Sequence, residues 1–259
     1  MNWFEGIVLG LIQGLTEFLP VSSTGHLEIA NALFGVKTTD SFYFNVAVHG
    51  ATVLSTIFVF WDEILRLIKG ALKFKLNEEF SYLGKIFVSM IPVGLVALFF
   101  QDFVEGMFSG NLVATGIEFL ITAILLGLAH FVRPKDRNIN YFDSFIIGIA
   151  QAIAIVPAIS RSGATIATGL ILGNRKEEVT KFSFLMVIIP IIGANFLEIS
   201  KGGEFNGGSN LWSIIAGFLT AFISGYFACR WMINLVKRSK LIWFSVYCAI
   251  LGLLAIILG

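Results

Sequence analysis

Eight apolar runs mark the chain, and their lengths and interruptions divide them into two kinds. Six of them, at roughly 42–61, 86–101, 111–132, 182–199, 211–232 and 241–258, reach or approach the length of a membrane-spanning helix, about 20 mostly apolar residues. The other two, at about 4–19 and 144–159, are interrupted by Pro20 and Pro157. Each runs into a small polar cluster: Ser22, Ser23, Thr24, Gly25 and His26 in the first case, Ser160, Arg161, Ser162, Gly163 and Thr165 in the second. A second short apolar segment follows each cluster. Such a broken pair predicts a re-entrant helical hairpin, because irregular backbone at membrane depth survives only where protein or a wet cavity surrounds it.

The two broken pairs align without gaps at an offset of 138, matching Gly10 with Gly148, Gln13 with Gln151, Ser22 with Ser160, Gly25 with Gly163 and Gly35 with Gly173. Three spans follow each hairpin, and an odd number of spans inverts the second half relative to the first. The expected fold is therefore an all-α integral membrane protein. It has six transmembrane helices plus two re-entrant hairpins in an inverted-topology repeat, with repeat 1 at about 1–135 and repeat 2 at about 139–259 of a single membrane domain. The site shared by such repeats usually lies near the midplane.

Composition agrees with lipid as the solvent. The chain is 56% hydrophobic and 14% charged, with a mean hydropathy of +0.85, whereas soluble domains carry about 25% charged residues. A net charge of +1 gives no argument for nucleic acid. Cys229 and Cys248 lie in apolar runs and suggest neither a disulfide framework nor a metal site. The start, MNWFEGIVLG, has no basic n-region, so a cleaved signal peptide is not expected.

Charge also orients the spans. Segments 62–85, 133–141, 174–181 and 233–240 together hold fourteen Lys and Arg residues, among them Arg133, and the layout puts all four on one side. The other side has Lys37 and Lys201. The positive-inside rule makes the basic side cytoplasmic, which places both termini outside, the first hairpin entering from outside and the second from the cytoplasm. Trp61, Trp212, Trp231 and Trp243 fall near span ends, as interfacial anchors do. The stretches NEEF at 77–80 and GGEFNGGSN at 202–210 read as solvated connectors.

The polar residues at membrane depth carry the chemistry. Gln13 and Glu17 are four apart and share a helical face, and an intramembrane carboxylate is a functional candidate by default. Ser23 and His26 are three apart and would be neighbours on a helix; a serine beside a histidine can be an activated nucleophile. An N-cap role competes for Ser22, Ser23 and Thr24. In the second hairpin, Ser160, Arg161, Ser162, Gly163 and Thr165 form a compact set of donors at the start of a helix, a setting that suits phosphate. Arg161 is the only arginine expected deep in the membrane, and an internal ion pair with Glu17 competes with a phosphate role. His49 reads as a satisfied helix residue that could border a cavity. Glu118 and Glu198 reach toward water, His130 toward the interface, and Asn195 lies within its run.

These clusters resemble the undecaprenyl-diphosphate phosphatase family, also called the bacitracin-resistance family. The first motif is Gln13-Gly-Leu-Thr-Glu17, continuing FLPVSSTGH to His26; the second is Pro157-Ala-Ile-Ser-Arg-Ser-Gly-Ala-Thr165. Ala158 stands where the family usually has Gly, which matters if that position needs positive φ. The resemblance implies hydrolysis of undecaprenyl diphosphate, a prenyl diphosphate lipid, to the monophosphate and inorganic phosphate, recycling the carrier lipid for cell-wall synthesis. It also implies a divalent cation, Mg²⁺ or Ca²⁺, and an outward-facing site in the bacterial inner membrane, among membrane lipids. Catalytic work would fall to Glu17, Ser23, His26 and Arg161, phosphate binding to Ser22, Ser160, Arg161, Ser162, Gly163 and Thr165, and metal binding to Glu17 and Gln13. Ser23 with His26 as its base, and His26 itself, both remain open as nucleophile. A homodimer is left open. The competing function is a secondary transporter or lipid flippase, since inverted repeats with broken helices are common among transporters.

Overall fold

A computed structural model describes residues 1–35, 42–100, 106, 111–132, 135–200, 210–238 and 240–259. Lys37, Arg133, Lys201, nearly all of the 202–210 connector and the side chain of Glu198 lie outside the described residues. Twelve helices are described: α1 (Trp3–Phe18), α2 (Ser23–Phe34), α3 (Phe42–Val59), α4 (Trp61–Ala71), α5 (Glu78–Phe99), α6 (Leu112–Phe131), α7 (Tyr141–Ile153), α8 (Arg161–Ile171), α9 (Lys176–Met186), α10 (Ile188–Ser200), α11 (Leu211–Lys237) and α12 (Leu241–Leu258). The chain is an all-α integral membrane protein. Five stretches are long and apolar enough to cross a bilayer: α5, α6, Lys176–Leu197 (α9 running into α10), α11 and α12. The pair α3 and α4, bent by 74° at Phe60, makes a sixth.

One expectation needs correction, and the basic segment after the first span, used above only for orientation, is not all loop. Residues 61–71 form α4, because Ile64, Leu65, Leu67 and Ile68 recur at helical spacing between Asp62, Glu63, Arg66 and Lys69. NEEF is not a connector either. Asn77 caps α5 by accepting from the Phe80 N–H at 2.8 Å, and Glu78 and Glu79 occupy the first turn, where acidic side chains suit the helix dipole. The span therefore begins at 78, eight residues before the apolar run itself.

Each hairpin opens and closes with the same devices. Asn2 and Glu5 form a capping box at the start of α1, and Asn140 and Asp143 form one at the start of α7. Pro20 and Pro157 lie where helices stop, since a Pro has no N–H to continue the ladder. Ser22 then caps α2 through the Gly25 N–H, and Ser160 caps α8 through the Gly163 N–H. Gly35 and Gly173, at φ +65 and +91, end the second helices in the left-handed conformation that glycine adopts without strain.

Close packing places the hairpins. α1 lies along α11, α7 along α5, α6 along α12 and α3 against α11, while α2 and α8 both reach α6. In lipid there is little hydrophobic gain between helices, so small residues that let backbones approach do the work. Gly6, Gly10 and Gly14 recur every four residues on α1. A methyl at any of them would strike α11, at Ser213, Gly217 or Ala221 and Ser224 respectively. On α7, Gly148 faces Ser89 of α5 in the same way. The apolar core between the hairpins holds Phe18, Phe119, Ile166, Phe182 and Phe184, with Phe18 edge-on to Phe184 at 5.5 Å.

Candidate functional site

The α1 helix ends at Phe18 and the backbone turns extended at Leu19, so Glu17 projects from the last turn before the break. On the other hairpin, α8 starts at Arg161, immediately after its cap Ser160. The two tips touch: a methyl on Gly163 would lie 3.3 Å from the Pro20 ring, and the Ser162 hydroxyl donates to the Leu19 carbonyl at 3.1 Å. This brings Glu17 and Arg161 together. Arg161 donates to Glu17 Oε1 at 3.1 Å, and the carboxylate is only 10% exposed.

The other carboxylate oxygen is equally engaged. Glu17 Oε2 accepts from the Ser23 hydroxyl at 2.5 Å and from the Gln13 amide at 3.0 Å. The same amide nitrogen lies 3.0 Å from His49 Nδ1. With one amide hydrogen on Glu17, the second points at His49, so Nδ1 accepts and the imidazole carries its proton on Nε2. His49 Nδ1 is itself 3.9 Å from Glu17 Oε2. An ionised carboxylate in a low-dielectric interior is sustained by such partners: here a guanidinium, a hydroxyl and an amide.

His26 is placed differently from expectation. The spacing predicted a Ser23–His26 pair, but its Nδ1 is 2.7 Å from the Ser22 carbonyl and its Nε2 is 2.7 Å from the Tyr247 hydroxyl. Tyr247 also stacks on it, with ring planes 9° apart. Nδ1 therefore donates to the carbonyl and Nε2 accepts from the tyrosine. Ser23 gives its hydrogen to Glu17 instead, because the carboxylate, six residues back across the turn, is the stronger acceptor. The sequence pattern could not supply Tyr247, which comes from α12. It also undervalued His49; the available signal was an ionisable ring inside an apolar run.

The remaining candidates sort by partner. Ser22 and Ser160 act as N-caps, and Ser22 has a φ of 67, outside the usual range of non-glycine residues. The Ser160 N–H is held by Thr122 Oγ1 at 3.1 Å. Thr165 returns its hydroxyl hydrogen to the Arg161 carbonyl at 2.9 Å. Gly25 must be small, since a methyl there would meet the Phe119 ring at 2.7 Å. Ala158 has φ 55, so a residue with a side chain occupies the left-handed conformation at this tip. A cleft lined by Glu17, Arg161, Ser162 and Thr165 opens beside the ion pair.

For a divalent cation, the chemistry of the donor set is the test. Among the described residues no group of three or more His, Cys, Asp or Glu side chains assembles. Gln13 Oε1, beside the Glu17 carboxylate's own donor, is buried and lacks a hydrogen-bond partner among the described residues. One carboxylate and one amide oxygen fit a cation that arrives with phosphate ligands, as Mg²⁺ commonly does.

Comparison with known proteins adds to this geometry. The family model described as bacitracin resistance protein BacA matches residues 6–254. A protein of Bacteroides thetaiotaomicron named undecaprenyl-diphosphatase is 50% identical over 261 residues, covering 99% of each chain. One of the same name from Bacteroides fragilis is 49% identical over 263 residues, 100% of this chain and 99% of the other. A third, from Carboxydothermus hydrogenoformans, is 41% identical over 266 residues, 100% and 98% of the two chains.

Proposed function

The chain belongs to the bacitracin resistance protein BacA family, and from that premise we propose how its two hairpins work as an undecaprenyl-diphosphatase. It hydrolyses undecaprenyl diphosphate to undecaprenyl phosphate and inorganic phosphate, and so returns the carrier lipid to cell-wall synthesis. The observation that carries the mechanism is Glu17 held between two hairpins, Ser23 on one oxygen at 2.5 Å and Arg161 on the other at 3.1 Å.

Ser23 is the nucleophile in this reading and Glu17 its base, because the hydroxyl hydrogen already points at the carboxylate. Ser23 Oγ bonds to the terminal phosphorus, the anhydride P–O bond breaks, and undecaprenyl phosphate leaves with the proton that Glu17 received. Arg161 lies within reach of the same phosphoryl group. As Glu17 becomes neutral, the guanidinium turns to the phosphoryl oxygens, where charge spreads in the transition state. Water then bonds to phosphorus, its proton goes to Glu17, and the P–Oγ bond breaks as Ser23 regains a proton. The α8 N-terminus adds its positive end at the same place. His49 orients the Gln13 amide, which orients Glu17. His26, fixed by Ser22 and Tyr247, holds the first turn of α2 and so the direction of Ser23. Glu17 and Gln13 would hold a divalent cation delivered with the diphosphate, whose charge it would neutralise.

The basic segments face the cytoplasm, both termini face outward, and the site is served from the outer leaflet of the bacterial cell membrane. Purified protein in detergent, with no gradient across a bilayer, is expected to release phosphate from a prenyl diphosphate and to lose that activity with a chelator. A transporter would release none. A phosphate label that is lost in acid, survives alkali and maps to His26 rather than Ser23 would overturn the assignment of the nucleophile.

A further inference from the structure

Beside the Glu17–Arg161 pair lies a cavity whose polar lining includes Thr52 and Thr56 of α3, Ser162 and Thr165 of α8, and Ser183 of α9. Most of its hydroxyl hydrogens are already committed. Thr52 donates to the His49 carbonyl at 2.8 Å, Thr56 to that of Thr52 at 3.0 Å, Thr165 to that of Arg161 at 2.9 Å and Ser162 to that of Leu19 at 3.1 Å. A hydroxyl has one hydrogen and two lone pairs, so these four have only acceptor capacity left. Ser183 differs. It is 3% exposed, and its Oγ has no hydrogen-bond partner among the described residues. Its O–H is a donor at a buried position where an unmade hydrogen bond is costly. Arg161 binds Glu17 through one terminal nitrogen, and a guanidinium has further N–H groups.

Acceptors from α3 and α8 and donors at Ser183 and Arg161 complement a molecule that both gives and takes hydrogen bonds. The cavity volume is about 20 Å³, just above the roughly 10–15 Å³ that one water requires. The rest of the lining, with Phe18, Val53, Phe184 and Val187, is apolar and offers no competing partner.

We infer that this cavity is a water site, holding against Glu17 the molecule that takes up the phosphoryl group. The inference rests on the hydrolytic reading above. The stored water forms its bond to phosphorus, passes a proton to the Glu17 carboxylate, and the P–Oγ bond to Ser23 breaks.

Ser183→Val fills the cavity, while Thr56→Val exchanges a hydroxyl for a methyl with little change of shape and leaves the Thr52 carbonyl its main-chain partner. Steady-state release of phosphate from undecaprenyl diphosphate, together with acid-quenched phosphoenzyme, reads both. Each variant is expected to lower kcat about tenfold, the weight of one hydrogen bond to the attacking water, with KM unmoved and the trapped phosphoenzyme increased. An unchanged kcat overturns the water site. A raised KM with kcat intact overturns it too, by making the cavity part of substrate binding. If no phosphoenzyme is trapped even in the wild type, yet kcat falls at constant KM, the water site stands and the covalent route fails.

Discussion

Residues 2–35 and 140–173 are built alike and equipped differently. Both open on an Asn capping box, break at a proline, restart on a serine cap and finish on a left-handed glycine. At the tips the likeness stops. Glu17 in the first hairpin corresponds to Ile155 in the second, Ser23 to Arg161, and His26 to Ala164. One copy supplies the carboxylate and the hydroxyl; the other supplies the cation. The scaffold residues agree because each solves a backbone problem that both hairpins share. The tip residues differ because the ion pair needs a carboxylate from one hairpin and a guanidinium from the other, and two identical tips would not supply both. Gln13 and Gln151 show the same divergence: Gln13 bridges Glu17 and His49, whereas both amide atoms of Gln151 are buried without a partner among the described residues.

The division of labour can be broken from either hairpin. The largest effect is expected from Glu17→Gln, which keeps the shape and removes the base. Phosphate release should fall by about 10²–10⁴-fold, and a turnover near wild type would remove Glu17 from the chemistry. Next is Arg161→Lys, which keeps the charge but not the paired N–H groups. About 10²–10³-fold in kcat is expected, the scale of one lost transition-state donor; a change in KM alone would assign Arg161 to binding only. Tyr247→Phe removes the hydroxyl from His26 and lies outside the ion-pair cluster. A loss of about tenfold is expected, the weight of one hydrogen bond, and a 10³-fold loss would put His26 back at the reaction centre. Smallest is Ala158→Gly at φ 55. Relief of the left-handed strain is worth about 1 kcal/mol, offset in part by the lost methyl, so the melting temperature should rise slightly or stay level. A clear drop would show that the methyl packs better than the conformation strains.

Much of this architecture could be read from the amino-acid order. The spans, both breaks and the caps follow from apolar length, proline and serine, which act locally. What escaped depended on distance along the chain or on mixed signals. α4 was hidden because its charges, used only to orient the spans, mask an apolar stripe at helical spacing. The capping of α5 by Asn77 makes a helix start look like a connector. The three-residue spacing of Ser23 and His26 was real, but Glu17 and Tyr247 offered each a better partner. His49 joined the site across 36 residues, a pairing that no local pattern encodes.

Whether the two tips meet on one carboxylate is decided by a double-mutant cycle on thermal unfolding. Arg161→Gln alone should strand the buried Glu17 charge and destabilise the protein by about 3–5 kcal/mol, and Glu17→Gln alone should strand the guanidinium. The double variant is expected to be markedly more stable than the sum of the two losses, with a coupling of about 1–3 kcal/mol. Additive losses would mean that Glu17 and Arg161 do not meet.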